Sequence, residues 1–126
     1  MNKLGILIII SSLLILGGGA YFFTRQEKPV NIPTRDQTVY EYFWGNGCPH
    51  CAAVQEFFDS WDKIDSVKII KREVWYDKNN SSIMQDRFNK CDPKPASAQM
   101  SVPFMVTPDG KCLTGSTPII NLFKSL

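Results

Sequence analysis

Residues 4–23 carry no charged side chain, and this uncharged run constrains the fold more than any other feature of the chain. A helix of about 20 apolar residues is long enough to span a bilayer. We therefore expect residues 1–23 to form a signal anchor that stays in the membrane as a transmembrane helix. The alternative is a cleaved signal peptide, in which residues 18–20 would supply the small side chains of the cleavage site. Roughly 100 residues follow the run, enough for one small domain.

The charge of the chain excludes one class of function. Of its 14 lysines and arginines only Lys3 precedes the apolar run, so the rest of the chain is close to neutral. That balance excludes a nucleic-acid surface built on a large basic excess. One histidine and four cysteines also exclude a histidine-rich metal cluster.

Residues 24–37 are polar and include two prolines, a composition typical of a short extended linker that holds a domain off the membrane. The orientation of that domain has two opposing signals. Arg25, Lys28 and Arg35 follow the apolar run, and a strict positive-inside count would place the domain in the cytoplasm. The cysteines favour the opposite side, because paired cysteines persist in oxidising compartments. We expect a single-pass protein of the cell membrane with its domain outside the cytoplasm.

Residues 38–126 predict an α/β domain with the element order β-α-β-α-β-β-α. Strands are expected over residues 38–44, 66–74, 102–107 and 111–115 because these stretches are β-branched, aromatic or hydrophobic and end at turn residues. The helices are expected to begin at Pro49, at Ser82 with Gln85 completing a capping box, and at Thr117. The buried face of each helix is expected to contain Cys51, Val54, Phe58 and Trp61 in the first, Met84, Phe88 and Cys91 in the second, and Ile119, Leu122, Phe123 and Leu126 in the third.

Cys48 and Cys51 lie three residues apart, where the first strand passes through a glycine turn into a helix. Cys48 would then lie at the helix N-terminus, where free backbone N–H groups and the helix dipole stabilise an anion. Such a position lowers a thiol pKa from about 8.5 to between roughly 3.5 and 7.5. Cys51, one turn further along, is in reach to resolve a mixed disulfide. Pro49 removes an N–H group, and a protonated His50 would add positive charge beside Cys48.

Two other interpretations apply to this pair. A single pair of cysteines three residues apart is often half of a zinc site, for which Cys91 and Cys112 would have to supply the other ligands. A strand-to-helix position fits such a site poorly, and we expect no metal. A purely structural disulfide between Cys48 and Cys51 is the other interpretation.

The second pair, Cys91 and Cys112, ends the second helix and begins the last strand of the predicted domain. Outside the cytoplasm unpaired thiols oxidise, so one disulfide accounts for both residues. Closing a loop of that length adds on the order of 3 kcal/mol to the stability of a small domain. A relay that passes electrons to the first pair and two free, partly buried thiols are the alternatives.

The stretch FWGNGCPHCAAVQEFF, followed downstream by VPFMVTPDGKCLTG, resembles the thioredoxin-fold thiol–disulfide oxidoreductases. Its Cys-Pro-His-Cys motif resembles the DsbA type of bacterial disulfide-bond oxidase. The resemblance covers residues 38–126 and implies a thioredoxin-like fold, a four-stranded mixed sheet flanked by helices. It implies no cofactor beyond the redox-active disulfide of Cys48 and Cys51.

The resemblance also assigns substrate-binding positions. Pro103 matches the cis-proline of the family, which packs against the active-site sulfurs and leaves the preceding backbone, here Val102, free to pair with the substrate chain. Gly115 matches a family glycine near the same surface. Two positions depart from the family pattern. Tyr42 stands where many relatives have a buried acid, with Glu41 one position away on the other face of the strand, and Gly47 replaces an aromatic residue.

The function that these features predict is membrane-tethered oxidation of cysteine pairs in exported proteins. Its partners would be cysteine-containing substrate proteins and a membrane redox partner that re-oxidises or reduces it, with no nucleic acid. One alternative is an extracytoplasmic reductase of the thioredoxin type, as in cytochrome maturation. The other is a non-catalytic thioredoxin-fold module that binds partner chains.

Overall fold

The computed structural model describes residues 2–23, 29–95 and 99–126. Its first helix, α1, spans Lys3–Phe23. Side chains of α1 are described only through residue 18, and no helix in the described part of the chain is long and apolar enough to cross a membrane. The signal anchor therefore stays a prediction, and Arg25 and Lys28 of the predicted linker lie outside the described residues.

The remaining elements follow the predicted order of strands and helices. A short 3-10 helix, Ile64–Ser66, precedes the second strand. The strands are β1 Tyr40–Trp44, β2 Ile69–Glu73, β3 Phe104–Val106 and β4 Cys112–Thr114, and the helices are α2 Pro49–Ser60, α3 Lys78–Asn89 and α4 Ser116–Lys124.

The four strands form one mixed sheet in the order β2-β1-β3-β4. β1 and β2 are parallel, whereas β3 runs antiparallel to both β1 and β4. The four-stranded mixed sheet of the prediction is therefore confirmed. Its central strands are β1 and β3, and both are buried almost throughout.

Alternation along the central strands sends side chains to two separate cores. Tyr42 and Met105 pack with α2 and α4 on one face of the sheet. Phe43, Phe104 and Val106 pack with α3 on the other face. The predicted helix faces are buried in part: the remaining core residues are Val54 and Phe58 of α2, Ile83, Met84 and Phe88 of α3, and Ile119 and Phe123 of α4.

Several predicted boundaries and buried positions are wrong. β1 begins at Tyr40, because the Asp36 carboxylate accepts hydrogen bonds from the backbone N–H and hydroxyl of Thr38 and holds that residue in a turn. β2 starts at Ile69 because the 3-10 helix takes up Ser66. Leu126 is exposed beyond the end of α4 rather than buried.

The starts of the last two helices also differ from the prediction. α3 is capped by Asp77, whose carboxylate accepts the Asn80 N–H at 3.0 Å, so the helix begins four residues before Ser82. The Ser82 hydroxyl instead donates to the carbonyl of Lys78 within the helix. α4 begins after Gly115, which has a φ of 93° that only glycine adopts readily.

The described end of the predicted linker packs on the domain rather than standing apart from it. The guanidinium of Arg35 donates to the carbonyls of Thr107 and Pro108 at 2.9 and 3.1 Å. Arg87 of α3 donates to the carbonyl of Pro33 at 2.8 Å. Residues 33–35 are thus fastened to the turn between β3 and β4 and to α3.

Candidate functional site

Most of the predicted site residues lie at one edge of the sheet, the one formed by the ends of the strands and not by an outer strand. The parallel strands β1 and β2 both end there, with Trp44 beside Glu73. β3 runs in the opposite direction and begins there directly after Pro103, and β4 ends there just before Gly115. The N–H of Gly115 donates to the carbonyl of Pro103 at 2.8 Å. The chain segment that leads to Cys48 leaves from the same edge.

A tight turn over residues 45–47 connects β1 to Cys48. The N–H of Cys48 donates to the carbonyl of Gly45 at 3.1 Å and closes the turn. Gly47 has a φ of 89°, in the left-handed region that side chains disfavour. A residue with a side chain would be strained at position 47.

Cys48 is the N-cap residue of α2, with Pro49 at the first helical position. Its Sγ accepts a hydrogen bond from the N–H of Cys51 at 3.2 Å, and the two cysteines form a disulfide across a Cα–Cα distance of 5.2 Å. After reduction, this N–H group and the positive end of the α2 dipole would favour the thiolate of Cys48 over its thiol.

Both sulfurs are buried, with Cys48 6% and Cys51 3% exposed. Pro49 and His50 are exposed on the first turn of α2. Pro103 is fully buried, its peptide bond to Val102 is cis, and Val102 is half-buried. The edge of the sheet thus carries the cysteine pair and all of the substrate-binding positions that the resemblance assigned.

Tyr42 lies beneath the cysteine pair. Its hydroxyl donates to the backbone carbonyl of Cys51 at 3.4 Å within the core shared by α2 and α4. Burial raises the pKa of the Tyr42 hydroxyl far above its ordinary value, so the group keeps its proton. Tyr42 therefore orients the start of α2 and does not supply a proton acceptor for Cys51.

Glu41 is buried on the opposite face of β1, as the strand alternation predicts. Its carboxylate binds Arg87 of α3, with Oε2 2.7 Å from Nε, and its other oxygen lies 3.4 Å from the guanidinium of Arg72. Glu41 therefore belongs to an ion-pair cluster beneath α3, on the face of the sheet away from Cys51.

A cleft of about 650 Å³ opens between α2 and the edge strand β2, and Cys48 and Cys51 are among the residues that line it. Trp44 of β1 and Lys71 of β2 also line it. The ammonium group of Lys71 donates to the side chain of Gln55 on α2 at 2.8 Å. The cleft gives one route by which solvent or a small molecule reaches the disulfide.

Glu73 connects β2 to the turn before Cys48, a role that no sequence pattern predicts. Its carboxylate accepts backbone N–H groups from Asn46 in the turn at 3.2 Å and from Trp75, Tyr76 and Asp77 at 2.9–3.2 Å. Burial would raise the pKa of Glu73, but these four donors outweigh it and lower the pKa below its ordinary value. A glutamate at the end of a strand gives no local sign of this role.

Cys91 and Cys112 form a disulfide that joins the segment after α3 to the start of β4, with a Cα–Cα distance of 6.0 Å. Cys112 pairs with Val106 at the end of β3. It therefore lies at the opposite end of the strands from the turn that leads to Cys48. The two cysteine pairs are therefore separate sites. Within residues 2–23, 29–95 and 99–126 no three histidine, cysteine or acidic side chains group as metal ligands would.

No protein-family model, curated protein or solved structure matches the chain.

Proposed function

We propose that the protein is a thiol–disulfide oxidoreductase whose Cys48–Cys51 disulfide oxidises cysteine pairs in exported proteins. The single observation that carries this proposal is the position of Cys48. Its sulfur caps the first turn of α2 and accepts the Cys51 N–H. A thiolate at that position is stabilised, and a stabilised thiolate is both a good leaving group and the product of an oxidising disulfide.

We also propose that residues 38–126 adopt a thioredoxin-like fold. The observed element order and the strand order β2-β1-β3-β4, with only β1 and β2 parallel, support it. So does the meeting of the Cys48 turn, Pro103 and Gly115 at one edge of the sheet. The anchor at residues 1–23 and the extracytoplasmic position of the domain are parts of the same proposal.

The proposed reaction exchanges one disulfide for another. A substrate thiolate attacks Sγ of Cys48, the bond between Cys48 and Cys51 breaks, and Cys51 leaves as a thiolate. A second substrate thiolate then attacks the substrate sulfur of this mixed disulfide, and Cys48 leaves as a thiolate. The substrate loses two electrons and two protons and gains a disulfide, while the domain becomes a dithiol. A membrane redox partner with a more oxidising disulfide takes up these two electrons and restores the starting state.

The direction of the proposed reaction depends on the stability of the Cys48 thiolate. The start of α2 stabilises it, and we propose that the imidazole of His50, on the same exposed turn, adds to this stabilisation. Tyr42 keeps its proton and so gives no help to Cys51 as an attacking group. The stabilised thiolate favours the reduced domain over its mixed disulfides, and an unassisted Cys51 is slow in the attack on which a reductase depends, so both features favour oxidation of the substrate.

The experiment that tests this proposal is a trapping assay with two single variants. The Cys51→Ser variant should accumulate mixed disulfides between Cys48 and substrate proteins, because its Cys48 thiolate attacks substrate disulfides in the reverse of this reaction and Cys51 is no longer present to displace the substrate. The Cys48→Ser variant should accumulate few or none. The matched control is Cys91→Ser with Cys112→Ser, added to the Cys51→Ser background, which should still trap substrates because that pair lies at the other edge of the sheet.

Three outcomes would contradict parts of the proposal. Trapping by Cys48→Ser instead of Cys51→Ser would reverse the roles of the two sulfurs. Trapping by neither variant would favour the non-catalytic binding module. A reduction potential of the natural Cys48–Cys51 pair near roughly −270 mV, the potential of thioredoxin, would favour the reductase.

A further inference from the structure

An exposed aromatic residue stands beside the turn that leads to Cys48. Trp75 follows the end of β2 and is 53% exposed, although it is a large apolar side chain. Val74, the residue before it, is buried in the core beneath α3 and anchors the segment. Exposed aromatic rings on a well-anchored segment are typical of binding surfaces rather than of folding cores.

The indole of Trp75 packs directly on the backbone of the turn. A Cβ atom placed on Gly45 would overlap the indole ring, so only glycine at position 45 permits this contact. The carbonyl of Gly45 also accepts the N–H of Cys48. The indole therefore packs on a residue that is hydrogen-bonded to the reactive cysteine. The indole of Trp75 therefore lies against the same turn that leads into Cys48.

Glu73 holds that arrangement in place. One of its carboxylate oxygens accepts the N–H groups of both Asn46 and Trp75, at 3.2 and 3.0 Å. A single side chain thus fixes the turn and the aromatic segment relative to each other. A ring held this way loses little conformational entropy when a ligand covers it.

We propose that Trp75 is a specificity-determining residue of the cysteine site and that Glu73 is its positioning residue. The exposed indole takes an apolar side chain that lies next to the reacting cysteine in an extended substrate segment. The inference rests on the proposed function, since it names the class of substrate that the Cys48–Cys51 disulfide oxidises. An apolar flanking residue gains free energy because it and the indole remove apolar surface from water. A polar flanking residue would lose its own hydration against the ring.

The test compares two dithiol peptides that differ only in the residue before their first cysteine, leucine in one and serine in the other. Each peptide is mixed with the oxidised full-length protein. The measured rate is that of a single turnover, in which a mixed disulfide forms and the Cys48–Cys51 disulfide is then reduced. Rates with oxidised glutathione correct for the intrinsic reactivity of each peptide, and rates with dithiothreitol report any general change at the disulfide. The measured quantity is the leucine-to-serine rate ratio.

We expect a ratio of about five to ten for the natural protein, the value of partly burying one aliphatic side chain. Trp75→Ala should bring the ratio close to one, and Trp75→Phe should retain much of it. Glu73→Gln should lower the ratio because it releases the segment that carries the indole. The matched control is Tyr76→Ala, which removes an 80% exposed ring from the same segment and should keep the ratio.

The outcomes separate this inference from the function on which it rests. Equal rates for the two peptides in the natural protein would overturn the role of Trp75 and leave the proposed function standing. A Trp75→Ala variant that slows both peptides and dithiothreitol by one common factor would show that the indole only supports the turn, and would also overturn it. No reaction with either peptide would overturn the proposed function itself.

Discussion

Replacing Glu41 by glutamine should strongly destabilise the domain without changing the chemistry of the cysteine pair. Glu41 is 2% exposed, and its carboxylate lies 2.7 Å from Nε of the equally buried Arg87. Glutamine keeps the shape of the side chain but removes its charge, so Arg87 and Arg72 lose their shared anion. Both effects can be measured on the same variant.

The expected loss follows from what Arg87 retains. Removing one partner of a buried ion pair costs about 3–5 kcal/mol, because an uncompensated charge stays in the interior. Arg87 keeps Asp86 and the carbonyl of Pro33, each at 2.8 Å. We therefore expect the low end of that range, about 3 kcal/mol. With a urea m-value of about 1.5 kcal/mol/M, the unfolding midpoint should fall by about 2 M.

The assay is equilibrium unfolding of the full chain in urea at pH 7 with both disulfides intact, followed by tryptophan fluorescence. The matched control is Glu56→Gln, which removes an exposed carboxylate from α2 and should change the midpoint little. A double variant, Glu41→Leu with Arg87→Met, should regain part of the lost stability, because a packed apolar pair replaces the buried charges.

Two results would refute this reasoning. A midpoint shift no larger than that of Glu56→Gln would mean that the ion pair beneath α3 contributes nothing to stability. A change in the reduction potential of Cys48–Cys51 would mean that Glu41 acts on the sulfurs from the far face of the sheet. The second result would restore Glu41 as the missing acid of the cysteine site.

Three further predictions concern stability, pH and the cysteine pair. Replacing Cys91 and Cys112 together by serine should lower the free energy of unfolding by about 3 kcal/mol, since their disulfide closes a loop of about 20 residues; equal urea midpoints would contradict it. Because the pKa of Glu73 is lower in the folded than in the unfolded chain, its contribution to stability is present above the unfolded pKa and is lost as the pH falls through the folded pKa. Glu73→Gln should therefore flatten the acid limb of a stability–pH curve, and an unchanged limb would contradict this sign. His50→Thr should raise the pKa of the Cys48 thiol, measured by the pH dependence of alkylation, and make the reduction potential of the pair more negative. A lower pKa would show that His50 is not a cationic neighbour.

The sequence predicts the features of this structure that depend on neighbouring residues. Strand alternation places Glu41 and Tyr42 on opposite faces of β1, and the glycine turn followed by Pro49 predicts the start of α2 to the residue. These features depend on neighbours within a few positions. The cysteine motif is also local, so the elements that position it are visible in the pattern.

The features that the sequence does not reveal are those that join distant residues. Glu41 binds Arg87 across 46 residues, Glu73 accepts the Asn46 N–H across 27 residues, and the contacts of Arg35 span more than 70 residues. A pattern shows that a charged residue falls on a buried face but not which residue it meets there. At the start of α3 the sequence offers two local caps; Asp77 caps the helix through the Asn80 N–H, and Ser82, inside the helix, donates to the Lys78 carbonyl instead.

The reduction potential of the Cys48–Cys51 disulfide is the measurement that tests the central claim most directly. It would be determined in glutathione buffers of graded redox poise, with Cys91–Cys112 intact and alkylated Cys48 quantified by mass spectrometry. We predict an oxidising value, closer to roughly −120 mV than to −270 mV, because only the reduced state contains the thiolate that the start of α2 stabilises. A value near roughly −270 mV, the potential of thioredoxin, would contradict the oxidase and leave the reductase in its place.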